Sequence, residues 1–268
     1  MTEPDLIREL TDDGVLVLTL NKPDTLNSLA GTIIPDLTAA LRESKTNDAI
    51  RAVVLTGRGR GFCSGATVTA PRDAGNGAAP QRSRRSATVN KLGGINDMVL
   101  AFFESDVPII GAINGVAAGG GFGVALCCDI RIASDQARMG SIFIKRGLSA
   151  DCGASFWLPR IVGAAKAYEL LYSGEPLAVE DLLRLGLVHR VVPHDSLIEE
   201  AMAEARRIAR GPGIAYAYTR RLVARSFDND IRAHLDLEAS FQTDALASPD
   251  GREGFRAFVE RREPQFLP

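Results

Sequence analysis

Apolar residues come in short dense runs through the earlier part of the chain and at helical spacing through its last part. Val15-Leu-Val-Leu-Thr-Leu20 is a β-rich run stopped by Asn21-Lys22-Pro23-Asp24, a strand followed by turn chemistry. Ile33, Leu37, Ala40 and Leu41 share one face of a helix, which places Pro35 in its first turn, where a missing N–H costs little. Arg51-Ala-Val-Val-Leu-Thr56 reads as a buried strand ending at Gly57. From Gly65 to about Ala87 the chain turns to Gly, Pro, Ser and Arg, which predicts a long mobile loop. A helix near Val89–Glu104, a strand Val107–Ile113, and strands at Ile130–Ala133 and Leu187–Val192 follow. After residue 196 the pattern is helical almost to the end, with Ile198, Met202, Ala205 and Ile208 on one face and further helices over 213–225 and 230–247. The result is an α/β chain whose residues 1–195 alternate strand, turn and helix and whose residues 196–268 form a helical region.

A length of 268 residues suffices for a full core, and 46% hydrophobic with 24% charged residues is ordinary for a globular protein. The formal net charge of -2 provides no overall field toward nucleic acid or an anionic membrane. The four cysteines include the adjacent Cys127 and Cys128, which fit a buried segment better than a disulfide framework. Neither cysteine spacing nor the three histidines suggest a metal. The acidic start and the lack of a membrane-length apolar run lead us to expect a cytoplasmic protein.

Two glycine-flanked loops, each after a buried strand, carry the candidate chemistry. Gly57-Arg-Gly-Arg-Gly-Phe-Cys-Ser-Gly-Ala66 follows the strand at 51–56, and Asn114-Gly-Val-Ala-Ala-Gly-Gly-Gly-Phe-Gly123 follows that at 107–113 and opens a helix. Glycine lets backbone N–H groups face an acceptor outside the sheet, and a helix start supplies unpaired donors. Two such turns suit an oxyanion hole, in which each donor is worth roughly 3–4 kcal/mol in the transition state. On composition alone, tight turns or close packing explain such clusters better than function does. Gly61-Phe-Cys-Ser-Gly65 also fits the nucleophile elbow of a thiol hydrolase, with Cys63 as nucleophile, but no helix signal follows it. The glycine run at 119–123 lacks the spacing of a dinucleotide site.

Leu18-Thr-Leu-Asn-Lys-Pro23 with Leu26-Asn-Ser28, the run from Val53 to Ala66, and Pro108-Ile-Ile-Gly-Ala-Ile-Asn-Gly-Val-Ala-Ala-Gly-Gly-Gly121 ahead of Cys128-Asp-Ile-Arg-Ile-Ala133 resemble the enoyl-CoA hydratase/isomerase (crotonase) superfamily. Leu158-Pro-Arg-x-Val-Gly163, Leu171-x-Ser-Gly174 and Gly186-Leu-Val-x-x-Val-Val-Pro193 extend the resemblance over essentially the whole chain. The resemblance implies a crotonase-type spiral of β-β-α repeats with a C-terminal helical trimerisation region, assembled as a homotrimer or dimer of trimers. It implies an acyl-CoA substrate, with coenzyme A as part of the substrate and no separate cofactor. It implies oxyanion donors at the N–H groups of Ser64 and Gly120, and a substrate-binding set in which Leu26 and Phe143 join Lys22 near the CoA phosphates and Ala66 near the adenine. Phe258 and Arg261 in Ala257-Phe-Val-Glu-Arg-Arg262 resemble residues that approach CoA, often that of a neighbouring subunit. Thr67 replaces a common Asp.

Hydratases of this family use two glutamates, and here those positions hold Gly123 and Phe143, neither of which moves a proton. Asp151, in Lys145-Arg-Gly-Leu-Ser-Ala-Asp-Cys-Gly153, resembles the acid of isomerases that carry Gly-Leu-x-x-Asp-x-Gly; Phe143, in place of a tryptophan, argues against a related dehalogenase. Without the resemblance, an Asp before Cys152–Leu158 reads as a helix cap. With it, Asp151 is the expected base, buried among Leu148, Ala150, Phe156 and Trp157. Lys145, Arg146, Glu175, Glu180 and His189 read as surface or structural, and Trp157 as core. The expected reaction is isomerisation of an unsaturated acyl-CoA; a hydratase with relocated acid and base groups and a non-catalytic acyl-CoA-binding protein are the alternatives.

Overall fold

The computed structural model describes residues 3–66 and 93–266. Most of the glycine-rich segment, Thr67 and the start of the helix expected from Val89 lie outside them. Strands β1 (Leu6–Leu10), β2 (Val15–Leu20), β3 (Ala52–Gly57), β5 (Ile109–Ile113), β7 (Ile130–Ser134) and β9 (Arg190–Val192) form one sheet in that order. Only β1 and β2 pair antiparallel; every other pair in this sheet is parallel. Short strands β4 (Gly61–Cys63), β6 (Val116–Ala118) and β8 (Arg138–Gly140) form a second, parallel sheet. Each of β3, β5 and β7 thus hands the chain to a short strand of the second sheet before it returns, the repeat of a crotonase-type spiral. The helices are α1 (Ile33–Glu43), α2 (Gly94–Phe103), α3 (Gly120–Leu126), α4 (Ala154–Val162), α5 (Ala164–Ser173), α6 (Val179–Arg184), α7 (Leu197–Ala209), α8 (Gly213–Arg225), α9 (Ile231–Ala247) and α10 (Pro249–Glu260).

The continuous apolar runs of β3 and β5 follow from burial on both faces of the large sheet. Val53, Leu55, Ile109 and Ile113 meet Ile33 and Leu37 of α1 and Met98 and Phe102 of α2. The alternate residues Ala52, Val54, Ile110, Ala112 and Ile132 meet Leu197, Ala201, Ala205 and Ile208 of α7. Helix α7, the first of the C-terminal helical region, therefore closes the second face of the sheet. Pro35 does sit in the first turn of α1.

Three departures from the sequence reading have local causes. The expected strand from Val107 starts at Ile109, because the amide of Val107 bonds to Ser105 Oγ and its carbonyl accepts from the same hydroxyl. The expected strand from Leu187 starts at Arg190, because the amides of Leu187 and Val188 both turn to the carbonyl of Leu182. The strands of the second sheet have three residues each, too few to show an alternation.

One buried arginine and two half-buried ones tie the outer elements to this core. Arg131 donates to the carbonyls of Leu187 and Cys128, and burial holds its pKa below the usual guanidinium value. Arg220 of α8 pairs with Asp129 at 2.8 Å and donates to the carbonyls of Phe102 and Ser105, so it joins α8 to the end of α2. Arg160 of α4 lies 3.5 Å over the Phe156 ring and pairs with Asp228. Helices α9 and α10 sit further out, and Ile231, Leu235 and Phe258 are exposed on them. No helix among the described residues is long and apolar enough to cross a membrane. Replacing Arg220 by Ala removes the cation beside Asp129 and the side-chain donor to the carbonyls of Phe102, Phe103 and Ser105. The expected cost is about 3 kcal/mol, read as a lower denaturant midpoint at unchanged slope.

Candidate active site

The site is built around the first turn of α3. Gly119 enters it with φ 55 and ψ -122, a backbone that excludes a side chain, and residues 120–126 are all buried. A Cβ on Gly121 would overlap the carbonyl of Cys63, so the loop after β4 lies directly on the helix. Gly65, at φ +83, brings its own backbone beside the same turn; a Cβ there would stand 2.7 Å from the Gly120 nitrogen. Two buried asparagines hold the preceding loop. Asn27 donates to the carbonyls of Arg58 and Gly61 and accepts from the Lys22 amide. Asn114 accepts from the Gly57 amide and donates to the carbonyls of Gly59 and Gly61.

One of the two amides expected as oxyanion donors is already bonded within the protein. The Ser64 amide is spent on the Leu26 carbonyl at 2.9 Å, and Ser64 Oγ donates to the Thr25 carbonyl, so Ser64 offers no free backbone donor. Ala66, two residues on, is exposed, and its amide has no acceptor among the described residues; the Gly120 amide has none either. Both residues line one small cavity of about 50 Å³. Ala66, expected from the sequence near the adenine of CoA, thus lines the same cavity as Gly120 and Asp151.

The opposite wall comes from the segment between β8 and α4. A 3-10 turn, Ile142–Arg146, is ended by Gly147 at φ 69; Phe143 and Arg146 on the turn and Leu148 and Asp151 after it line the cavity. Cys152 then adopts φ 51, a left-handed conformation rare outside glycine, and Gly153 follows at φ 77. This strained pair turns the chain so that the Cys152 carbonyl rests on Gly123 with no space for a Cβ between them. The hydratase-type glutamate position at 123 is therefore filled by backbone. Asp151 is exposed at the cavity, not buried as expected. Nor does its side chain cap a helix: α4 starts from Gly153 without a side-chain cap, and only the Asp151 carbonyl accepts from Ala154.

The other candidates are placed as follows. Lys22 Nζ pairs with Asp5 at 3.0 Å, and Asp5, held also by the Thr32 amide, has its carboxyl pKa below the usual value. Leu26, at φ 52, packs under Gly61 and gives its carbonyl to Ser64. Phe258 and Arg261 lie exposed at the end of α10, and neither lines the cavity. Cys63 is fully buried, and burial pushes its thiol up to about 12, which removes it as a nucleophile. His189 accepts the Arg131 amide on Nδ1, a structural bond, and Lys145 pairs with Glu175. Trp157 packs against Phe103 and Phe156. Sequence reasoning overlooked Asn27 and Asn114 as the loop's clamps and Cys152 as its hinge. An Asn after Pro-Asp-Thr-Leu was a signal for the first, since Asn tolerates the left-handed region.

Residues 11–267 match the family model described as enoyl-CoA hydratase/isomerase. The chain is 35% identical over 262 residues to the 1,2-epoxyphenylacetyl-CoA isomerase of Escherichia coli, covering 98% of each. It is 35% identical over 260 residues to a "Probable enoyl-CoA hydratase" of Rhodobacter capsulatus, covering 97% of each. Among solved structures, the enoyl-CoA hydratase of Mycobacterium smegmatis superposes with a TM-score of 0.85 at 30% identity, over 98% of this chain and 99% of that one.

Placing a methyl at position 123 forces the Cys152 carbonyl away from α3 and drags Asp151 with it. Gly123→Ala is expected to lower the thermal midpoint and turnover together, whereas Ala125→Gly in the same helix costs about 1 kcal/mol of stability through helix propensity. Thermal melts and initial rates on both variants check this.

Proposed function

Because the chain belongs to the enoyl-CoA hydratase/isomerase family, we propose that it shifts the double bond of an unsaturated acyl-CoA, from the 3- to the 2-position or the equivalent in a ring substrate, with Asp151 as its single acid–base group. The observation that carries this reading is the pairing, around one cavity, of two unspent amides with one carboxylate. The thioester oxygen binds between the N–H groups of Ala66 and Gly120. Asp151 takes a proton from C2; the electron pair moves through C2 and the carbonyl carbon onto that oxygen, giving a dienolate. Its collapse forms the C2–C3 double bond as C4 accepts the proton from the Asp151 acid. No proton or electron is gained or lost.

The donors stabilise charge as it appears on oxygen, and their value rests on being fixed before reaction. Asn27, Asn114 and the glycine contacts provide that fixity. Gly120 adds the partial positive charge of a helix start, although α3 is short. Phe143, buried on the cavity wall, limits water at the carbon being deprotonated. The isomerase named among the relatives supports this reading. The relative named as a hydratase supports the alternative, but hydration needs water to be deprotonated while a carbon is protonated, and positions 123 and 143 supply neither group. Lys22 is assigned to the CoA phosphates, and Phe258 and Arg261 to the CoA of the next copy in a trimer or a dimer of trimers. That assembly would cover the exposed apolar residues of α9 and α10.

Assays on 3-hexenoyl-CoA and crotonyl-CoA separate isomerase from hydratase. Isomerisation of the first without hydration of the second is expected, and the reverse would defeat the proposal. Asp151→Asn is expected to lower isomerisation by a factor of about 10³ or more with acyl-CoA affinity retained, and full turnover would remove Asp151 from the mechanism. Ala66→Pro, which deletes the donor, is expected to lower kcat by about 10²–10³.

A further inference from the structure

Arg146 lines the same cavity and has no part in the proton shift just described. It ends the 3-10 turn and is exposed. Its neighbour Lys145 is held at 2.6 Å by Glu175, whereas Arg146 makes no ion pair or hydrogen bond among the described residues, with Asp151 or with any other group. Phe143 and Leu148, on the same wall, have no acceptor to give it. Arg146 is thus a guanidinium with no partner among the described residues, on the wall of the cavity that the proposed reaction uses.

A guanidinium so placed meets different acyl groups at different cost. A hydrocarbon chain packed over Arg146 strips water from a charged fork of N–H donors and returns nothing, a loss that sites built to hydrogen-bond use for rejection. A carboxylate at the far end of the acyl group replaces that water with a two-pronged, charge-assisted contact. We propose that Arg146 is a specificity-determining residue that selects acyl groups ending in a carboxylate, the monothioesters of dicarboxylic acids. The proposal rests on the acyl-CoA reading above and names its substrate class. The opposite charges of Arg146 and Asp151 then orient the ligand: the anionic end is drawn to Arg146 and kept from Asp151, and the C–H to be broken faces the carboxylate base.

Calorimetric binding of two saturated esters, adipoyl-CoA and hexanoyl-CoA, tests this without any turnover. The native protein is expected to bind adipoyl-CoA about tenfold or more tightly than hexanoyl-CoA. Arg146→Leu should remove that preference by weakening adipoyl-CoA alone, and Arg146→Lys should keep part of it, since a point charge replaces the fork. Equal binding of the two esters by the native protein would overturn the proposal. So would an equal weakening of both esters and of free coenzyme A by Arg146→Leu, which places Arg146 on the CoA portion. Because neither ester isomerises, a failed isomerase assay leaves this result standing, and loss of the carboxylate preference leaves the isomerase assay untouched.

Discussion

The close seating of two chain segments on the glycine face of α3 governs the rest of the site. Gly121 admits the carbonyl of Cys63, and Gly123 admits that of Cys152, each at a distance that any side chain would forbid. Gly120 lies between them, near the backbone of Gly65 and the sulfur of Cys152. One short helix thereby fixes the loop that ends in Ala66 and the turn that carries Asp151. Close-packed interiors transmit such contacts stiffly, so a displacement on one side of α3 is felt on the other.

The same contact bears on which side chains the site can hold. A carboxylate at position 123 needs the volume that the Cys152 backbone occupies, and a carboxylate at 143 is replaced by a buried phenyl ring. The carboxylate that lines the cavity, Asp151, sits at the rim, beside a turn held in a left-handed backbone at Cys152. Strain of that kind costs of order 1–3 kcal/mol and persists where the surroundings enforce it. Here the enforcing surface is α3, and the return is a carboxylate opposite two amides. The four buried thiols take no part: burial raises the pKa of each.

The elements with long apolar runs were legible in the chain, because β2, β3, β5 and β7 are buried on both faces and α1 and α7 each bury one. The three-residue strands were not, since a strand of that length has no period. Gly120 and Asp151, expected from motif, do line one cavity, but the bond that occupies the Ser64 amide could not be read, because it depends on the left-handed backbone of Leu26 and Asn27, which puts the Leu26 carbonyl in its path. Asp151 was expected to be buried from its apolar neighbours in sequence; Leu148, half exposed at 51%, shows that those neighbours do not enclose it. Arg146 carried no signal at all until the wall it belongs to was assembled.

The central claim is that one carboxylate on one face of the acyl group carries a proton from C2 to C4. Isomerisation of 3-hexenoyl-CoA bearing deuterium at C2 in one configuration or the other, followed by NMR of the product, tests it most directly. The account predicts that one configuration loses its deuterium and delivers part of it to C4, while the other keeps it at C2. Loss of deuterium from both configurations, or none reaching C4 from either, would contradict it.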